Sequence, residues 1–237
     1  METLHTIGIL YLFVGIVSFL FLLFDIVVKK QRQAMSIMNI VWPITGLYLG
    51  IIAIILYKKW GKAKHETSHM DHMHIDMSMP NSMKMSVNNV NFKTTALSTM
   101  HCGSGCTLGD AISEPLMLVF PITIVSNAMY NKWLIQFAFA FVIGILFQYF
   151  AIKQMQPKLP FSKIILKALK ADTLSLIFWQ IGMYGGMAIA KTILPIHSMQ
   201  PTTTIYWFCM QIAMILGFCT AFPINYWLLK KGVKEPM

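Results

Sequence analysis

Charged side chains are scarce in this 237-residue chain. Asp, Glu, Lys and Arg together make up 12% of the residues, whereas soluble globular domains carry about 25%. Hydrophobic residues make up 56%, which is more apolar surface than a soluble core of this size can bury. The composition excludes an ordinary soluble domain. It predicts an all-α, polytopic integral membrane protein whose partner is the lipid bilayer.

Acidic residues are the scarcer of the charged types, with 9 Asp and Glu against 19 Lys and Arg, and the net charge is +10. An excess of this size is also typical of nucleic-acid-binding proteins. Here, however, the basic residues flank long apolar runs and form no continuous basic face. That placement is typical of membrane anchoring, so we expect no nucleic-acid partner.

Six stretches reach the roughly 20 apolar residues that a transmembrane helix needs. They are residues 6–28, 36–57, 108–130, 133–152, 171–194 and 204–229. Residues 161–170, which place lysines at amphipathic spacing, are predicted to lie on the membrane surface. The pattern predicts three regions: two transmembrane helices (1–57), a flexible connector (58–100) and a four-helix membrane domain that starts with a cysteine loop (101–237).

Six crossings place both termini on one side of the membrane. If that side is the cytoplasm, 14 basic residues face the cytoplasm and five face the opposite side. Because cytoplasmic loops are enriched in Lys and Arg, we expect cytoplasmic N- and C-termini and a cytoplasmic second connector. The basic cluster at residues 29–32 counts against this orientation.

The second connector is unusually rich in histidine and methionine, with five His and seven Met between His65 and His101. Thioether sulfur is soft and prefers Cu(I) or Ag(I), and imidazole adds affinity for other transition metals. We predict a metal-capture strip for Cu(I), with zinc as the less favoured metal. The alternative is a disordered polar linker. The predicted ligands are His69, Met70, His72, Met73, His74 and Met77.

A second candidate metal site is the stretch that contains His101, Cys102 and Cys106. Glycines at positions 103 and 105 favour a compact loop, which can fold two thiols and one imidazole around one ion. Two thiolates with an imidazole suit Cu(I) or Zn(II). A redox-active dithiol and a structural disulfide are the alternatives.

Three carboxylates are candidates for charge compensation or proton coupling. Asp110 and Glu114 are four residues apart and share one helix face, and Asp172 begins the fifth segment. Carboxylates in a membrane are costly to bury and mark functional sites. The alternative is that they stay hydrated at the interface.

Four methionines in the last two segments, Met183, Met187, Met210 and Met214, fall at helical spacing. A thioether pathway needs all four side chains to face the interior of the bundle. The alternative is that they pack against lipid or neighbouring helices.

The stretch from His101 to Asp110, His-Cys-Gly-Ser-Gly-Cys-Thr-Leu-Gly-Asp, resembles the corresponding loop of the domain of unknown function 4396 family of bacterial membrane proteins. Residues 147–150, 171–175 and 217–225 resemble that family as well. The resemblance covers most of residues 39–237. It implies an integral protein of a bacterial inner membrane and implies no activity.

Three functions are compatible with these features. The leading hypothesis is Cu(I) or Ag(I) binding or transport, with a metallochaperone or a second copy of the chain as a further partner. The second is a quinone-linked thiol-disulfide oxidoreductase that uses Cys102 and Cys106. The third is an assembly factor for a membrane complex. An enzyme is less favoured than a non-enzymatic protein.

Overall fold

A computed structural model describes residues 2–31, 33, 35–61, 90–120 and 122–236. In this part of the chain the secondary structure is helical throughout, which confirms the all-α prediction. The helices are α1 (Glu2–Val27), α2 (Met38–Leu49), α3 (Ile51–Leu56), α4 (Phe92–Val119), α5 (Ala128–Met155), α6 (Phe161–Ile193) and α7 (Thr204–Lys230). A π-helical turn, Tyr57–Gly61, extends α3, and a 3-10 turn, Ile196–Met199, precedes α7.

Four helices are long and apolar enough to cross a membrane: α1, residues Met129–Met155 of α5, α6 and α7. Large apolar side chains cover their outer faces; on α1, Leu10 is 59% and Phe13 62% exposed. Because an aqueous surface does not tolerate such a continuous apolar coat, these faces contact lipid. The protein is therefore a helical membrane bundle.

The second predicted span, residues 36–57, does not cross the bundle. It forms a helical hairpin, α2 followed by α3, with the reversal at Gly50, whose φ is +53°. A straight helix would separate Trp42 and Gly61 by about 28 Å. Instead, a Cβ placed on Gly61 would lie 2.7 Å from the Trp42 ring. The chain thus enters the bundle and returns to the same end.

Side chains of other helices satisfy the carbonyl groups at the tip of this hairpin. The Tyr11 hydroxyl donates to the Tyr48 carbonyl at 3.0 Å, and the Gln211 amide donates to the Leu47 carbonyl at 2.5 Å. An unpaired carbonyl in a membrane interior costs several kcal/mol. These two hydrogen bonds offset that cost at the chain reversal, and they attach the hairpin to α1 and α7.

The third predicted span, residues 108–130, is also wrong in its bounds. The helix in this region is α4, which starts 16 residues earlier at Phe92 and ends at Val119. A capping box fixes its start: the Asn91 side chain accepts from the Thr94 backbone, and the Thr94 hydroxyl accepts from the Asn91 backbone. The predicted cysteine loop is therefore helical, and the predicted boundary after residue 100 falls inside α4.

Close packing explains why glycine-rich sequence forms a helix here. A Cβ on Gly105 would lie 2.8 Å from the Cα of Gly144, and one on Gly109 would lie 2.5 Å from the Cα of Ala140. Both neighbours are backbone atoms of α5, which cannot move aside. These glycines let α4 and α5 approach each other as small residues do in membrane helices, rather than forming a loop.

The remaining predicted spans are confirmed as helices, and α6 also includes the predicted surface segment 161–170. Helices α1 and α7 run parallel, since Gly8 faces Phe208 and Gly15 faces Gln211. Glu2 and Lys230 therefore lie at opposite ends of the bundle. This corrects the prediction that both termini share one side, because residues 36–57 return instead of crossing.

Helices α4 and α6 finish at the end of the bundle where α5 and α7 begin. We call this end the vestibule end, and we call the opposite end the tail end. Leu4 shares a groove with Ile193, so the N-terminus lies at the vestibule end. The hairpin enters from the tail end, where the Ser36 backbone bonds Gln154 of α5.

Candidate functional site: a polar helix inside the bundle

Helix α4 is the interior helix of the bundle. It packs against α2, α5, α6 and α7, and nearly every side chain from Thr95 to Asp110 is buried. Its hydroxyl groups bond the preceding helical turn, as in Thr99 to the Thr95 carbonyl at 2.8 Å and Thr107 to the Gly103 carbonyl at 2.9 Å. The titratable and sulfur-containing side chains of α4 have to find their partners on the surrounding helices.

Cys102 and Cys106 lie one turn apart on α4 and are both 0% exposed. Both cysteines are free thiols. Trp179 of α6 packs over the same part of α4, since a Cβ on Gly103 would lie 2.2 Å from its ring. The tip of the hairpin completes the enclosure, because the Tyr48 ring stacks edge-on against Trp179 at 5.8 Å.

His101 points away from the two thiols. Adjacent residues on an α-helix project about 100° apart, and the imidazole packs against Phe147 of α5 at 6.0 Å between ring centroids. Both of its ring nitrogens are buried without a hydrogen-bond partner in the described part of the chain. Within residues 2–61 and 90–236, apart from the few undescribed positions, no three His, Cys, Asp or Glu side chains group as metal ligands. The helix thus does not bring His101, Cys102 and Cys106 around one ion.

The four methionines of α6 and α7 all face the interior, which is the condition that a thioether pathway requires. Met183, Met187, Met210 and Met214 are at most 5% exposed. The first three line one small cavity between the helices. Met214 reaches α4, where the Thr107 hydroxyl lies 3.7 Å from its sulfur. Buried thioethers therefore extend from α6 to the turn of α4 that carries Cys106.

At the vestibule end, Glu114 is the centre of a polar cluster. Its carboxylate pairs with the Lys132 ammonium at 2.9 Å and accepts a hydrogen bond from the Gln136 amide at 2.7 Å. The Tyr206 hydroxyl also donates to it, and Lys132 lies 4.5 Å from the centre of the Tyr206 ring. A cavity of about 410 Å³ opens next to Glu114 and Lys132, and we call it the vestibule.

Asp110 lies one helical turn further inside than Glu114. It is 0% exposed, and neither carboxylate oxygen has a hydrogen-bond partner among the described residues. A buried carboxylate without partners is expensive. The vestibule end thus holds two carboxylates and two lysines: Lys132 pairs with Glu114, and Lys191 lines the same small cavity as Lys132. Asp110 is the carboxylate that lacks a hydrogen-bond partner among the described residues.

At the tail end, Asp172 of α6 pairs with Lys234, which follows α7. The Lys234 ammonium donates to Asp172 at 2.5 Å and to the Asn225 side-chain oxygen at 2.9 Å. Asn225 in turn donates to the Ser175 hydroxyl at 2.6 Å. Both charged side chains are 0% exposed, so the pair is sealed inside the protein.

The structure thus brings Asp110 and Glu114 together at one end and places Asp172 at the other. The predicted ligands His69, Met70, His72, Met73, His74 and Met77 lie outside the described residues. Sequence reasoning did not single out five residues of the site. These are Tyr48, Lys132, Gln136, Tyr206 and Lys234. Lys132 did carry a signal, because it is one of only two lysines between residues 94 and 152 or 171 and 229, the other being Lys191.

A family model described as Domain of unknown function (DUF4396) matches residues 91–234. The match covers α4 to α7 and ends at Lys234, so it includes the whole polar helix and its partners on α5, α6 and α7. The chain belongs to this family. Within the DUF4396 match lie both carboxylate–lysine pairs and the two buried thiols, whereas α1 and the hairpin precede it. No curated protein and no solved structure matches the chain.

Proposed function

We propose that the protein binds soft monovalent metal ions, Cu(I) or Ag(I), inside its helix bundle and conducts them between the two ends of α4. The observation that carries this proposal is the burial of all four methionines of α6 and α7, of which Met214 contacts the turn of α4 that carries Cys106. Thioethers and thiolates are the ligands that soft ions prefer over water and carboxylates. Methionines that only contacted lipid would lie on the outer faces of α6 and α7 instead.

The charges of the bundle fit a monovalent cargo. A cation entering a low-dielectric interior needs one compensating negative charge. Asp110 supplies that charge at the vestibule end because it has no partner of its own. When the ion moves from Asp110 to the sulfur ligands, the Asp110 carboxylate is free to take up a proton. Asp110 is therefore the proposed group for proton coupling.

The direction of the bundle in the membrane follows from its lysines. Of those in the described residues, Lys132 and Lys191 lie at the vestibule end. The others lie at the tail end: Lys29, Lys30, Lys58, Lys59, Lys93, Lys153, Lys158, Lys163, Lys167, Lys170, Lys230, Lys231 and Lys234. The positive-inside rule favours a cytoplasmic tail end and a vestibule that opens to the outside of a bacterial inner membrane. The basic cluster at 29–32 then no longer conflicts with the other connectors.

The His/Met-rich connector joins Gly61 and Val90, which both lie at the tail end. In the proposed orientation its soft ligands serve the cytoplasmic mouth, where they capture or deliver the ion and exchange it with a metallochaperone. The redox alternative is less favoured, because both thiols are fully buried and a dithiol partner needs access to the sulfur that it attacks.

Metal stoichiometry on the detergent-purified protein tests this function. The variants are compared in a chain that lacks residues 65–85, because the ligands of the connector would otherwise bind silver as well. In that chain we expect tight Ag(I) binding that is lost in the Cys102→Ser/Cys106→Ser variant and weakened about tenfold or more in Met183→Leu/Met210→Leu. The matched controls are Cys219→Ser and Met155→Leu, which change an exposed thiol and a 38% exposed thioether. Leu and Met have similar volumes, so the fold should tolerate the exchange. A deletion of residues 65–85 should leave the bundle site intact. Wild-type binding that persists in the double serine variant contradicts the proposal.

A further inference from the structure

A shallow apolar groove runs along the outer face of α1 where this helix reaches the tail end of the bundle. The groove has a volume of about 640 Å³ and is lined by side chains between Val17 and Val28. Among them, Leu20, Phe24 and Val27 are 54%, 52% and 61% exposed. Their spacing of three and four residues places them on one face of the helix. The groove therefore fits a hydrocarbon chain that lies along α1.

Two lysines from separate segments of the chain lie over aromatic rings of this groove. The Lys29 ammonium, which follows α1, lies 5.9 Å from the centre of the Phe24 ring. The Lys58 ammonium, on the π-helical turn that ends the hairpin, lies 5.8 Å from the centre of the Phe21 ring. Both rings line the groove. Two positive charges are thus placed directly beside an apolar surface, which is the arrangement that a phospholipid phosphate and its acyl chain require.

A chain of polar contacts fixes the two lysines relative to each other. The Tyr57 hydroxyl donates to one oxygen of Asp25 at 3.1 Å, and the other oxygen pairs with the Lys29 ammonium at 3.1 Å. Tyr57 is 1% and Asp25 6% exposed, and Lys58 directly follows Tyr57. These contacts hold the end of the hairpin against the end of α1. The two ammonium groups therefore converge because a buried hydrogen bond joins the segments that carry them.

This corner of the bundle carries an excess of positive charge. Lys30 and Lys59 are exposed beside the two lysines of the groove. Asp25 is the only acidic residue between residues 3 and 61, and it is already paired. Basic pockets between membrane helices bind the headgroups of anionic lipids. The charge of this corner therefore calls for an anionic occupant.

We propose that the groove and its lysines form a binding site for one anionic phospholipid, whose acyl chain lies against α1 and whose phosphate bridges Lys29 and Lys58. A second copy of the chain fits this surface less well. Copies inserted in the same direction have their tail ends on the same side of the membrane, so contact through α1 would bring the two lysine clusters together. Like charges placed opposite each other disfavour such a contact. A bound phospholipid neutralises the lysines instead, and it joins the hairpin to α1.

Native mass spectrometry of the detergent-purified protein tests this site, because one spectrum resolves bound lipids and copies of the chain. The probes are dioleoyl-phosphatidylglycerol, which is anionic, and dioleoyl-phosphatidylcholine, which carries no net charge. We expect the first phosphatidylglycerol molecule to bind about tenfold more tightly than phosphatidylcholine, because only the anionic lipid neutralises the lysines. Equal affinity of the two lipids overturns the proposal. A dimer that phosphatidylglycerol does not dissociate, and to which this lipid does not bind, assigns the groove to a second copy and overturns it as well.

Substitution of the lysines locates the site on the protein. Lys29→Gln/Lys58→Gln should lose most of the preference for phosphatidylglycerol. The matched control, Lys153→Gln/Lys230→Gln, removes two other exposed lysines of the tail end that also lie over aromatic rings, and it should keep the preference. An equal loss in both variants would mean that the lipid responds only to the overall positive charge, which overturns the site.

Two further measurements separate the parts of the site. Lys58 makes no ion pair in the part of the chain that the structure describes, so Lys58→Gln alone should weaken phosphatidylglycerol binding without disturbing Asp25. Unchanged binding in this variant contradicts the proposed bridge. Glycerol 3-phosphate, which carries the phosphate without acyl chains, should not displace the lipid at equal concentration. Displacement would mean that the groove contributes nothing to binding, and it overturns the proposal.

Discussion

The two ends of the bundle carry the same kind of pair, a carboxylate and a lysine, in different surroundings. At the vestibule end the Lys132 side chain is 22% exposed and Glu114 only 1%. At the tail end Lys234 and Asp172 are both 0% exposed. The lysine at the vestibule end is therefore partly hydrated next to an open cavity, while the lysine at the tail end has exchanged all of its water for protein oxygens.

This difference shows that the bundle is open at the vestibule end and closed at the tail end. The vestibule leads to Glu114, and the unpartnered Asp110 follows one turn inside. At the tail end the Lys234 ammonium fills the corresponding position. A transporter needs such an asymmetry, because a path open at both ends is a channel. The two pairs should therefore respond differently to the same kind of substitution.

The largest expected effect is on the sealed pair. Asp172→Asn leaves the Lys234 ammonium buried without its carboxylate, and removal of one partner of a buried pair costs about 3–5 kcal/mol of unfolding free energy. Denaturant titration in mixed micelles measures this loss. The double variant Asp172→Asn/Lys234→Met removes both charges and should recover most of the stability. A single variant as stable as wild type would mean that water reaches this pair.

The next effect, at the vestibule end, should be smaller and unequal for the two partners. Lys132→Met leaves a buried carboxylate that keeps only its hydrogen bonds from Gln136 and Tyr206, so we expect a loss of about 1–3 kcal/mol. Glu114→Gln leaves an ammonium that turns into the vestibule, and it should cost less than Lys132→Met. Denaturant titration of both variants gives the order. The reverse order would mean that water reaches Glu114 rather than Lys132, which contradicts the exposures in the structure.

Much of the fold followed from the sequence because apolar runs of sufficient length have few alternatives to a spanning helix. The failures share one cause. Residues 36–57 are as apolar as a span, but Gly50 reverses the chain, and Gln211 and Tyr11 pair the exposed carbonyls. Partners that lie 37 and 164 residues away in the chain leave no local pattern, so hydropathy alone could not distinguish a hairpin from a crossing.

The candidate site was also only partly predictable from the sequence. The residue types were visible in the sequence, and Cys102, Cys106 and Asp110 do lie on one buried helix. Their geometry was not visible, because the glycines that suggested a loop serve contacts with Gly144 and Ala140 on another helix. Lys234 was the least accessible to sequence reasoning, since a lysine that follows the last apolar helix is ordinarily hydrated.

The smallest effect on stability should come from the outer contact of the tail end, in which Glu235 lies 3.8 Å from the Lys167 ammonium. It nevertheless separates the two contacts of the tail end most sharply. Glu235→Gln keeps a side chain of the same size and weakens the interaction with Lys167, which is worth ~0–1 kcal/mol because both groups are partly exposed. The unfolding free energy should hardly change. The rate at which an amine-reactive ester acylates Lys234 should nevertheless rise, because the inner contact with Asp172 then holds this segment alone. Lys163→Gln, which alters the lysine one turn before Lys167 on α6, is the matched control. If Glu235→Gln lowers stability as much as Asp172→Asn does, the outer contact is part of the folded core and is not a weak surface pair.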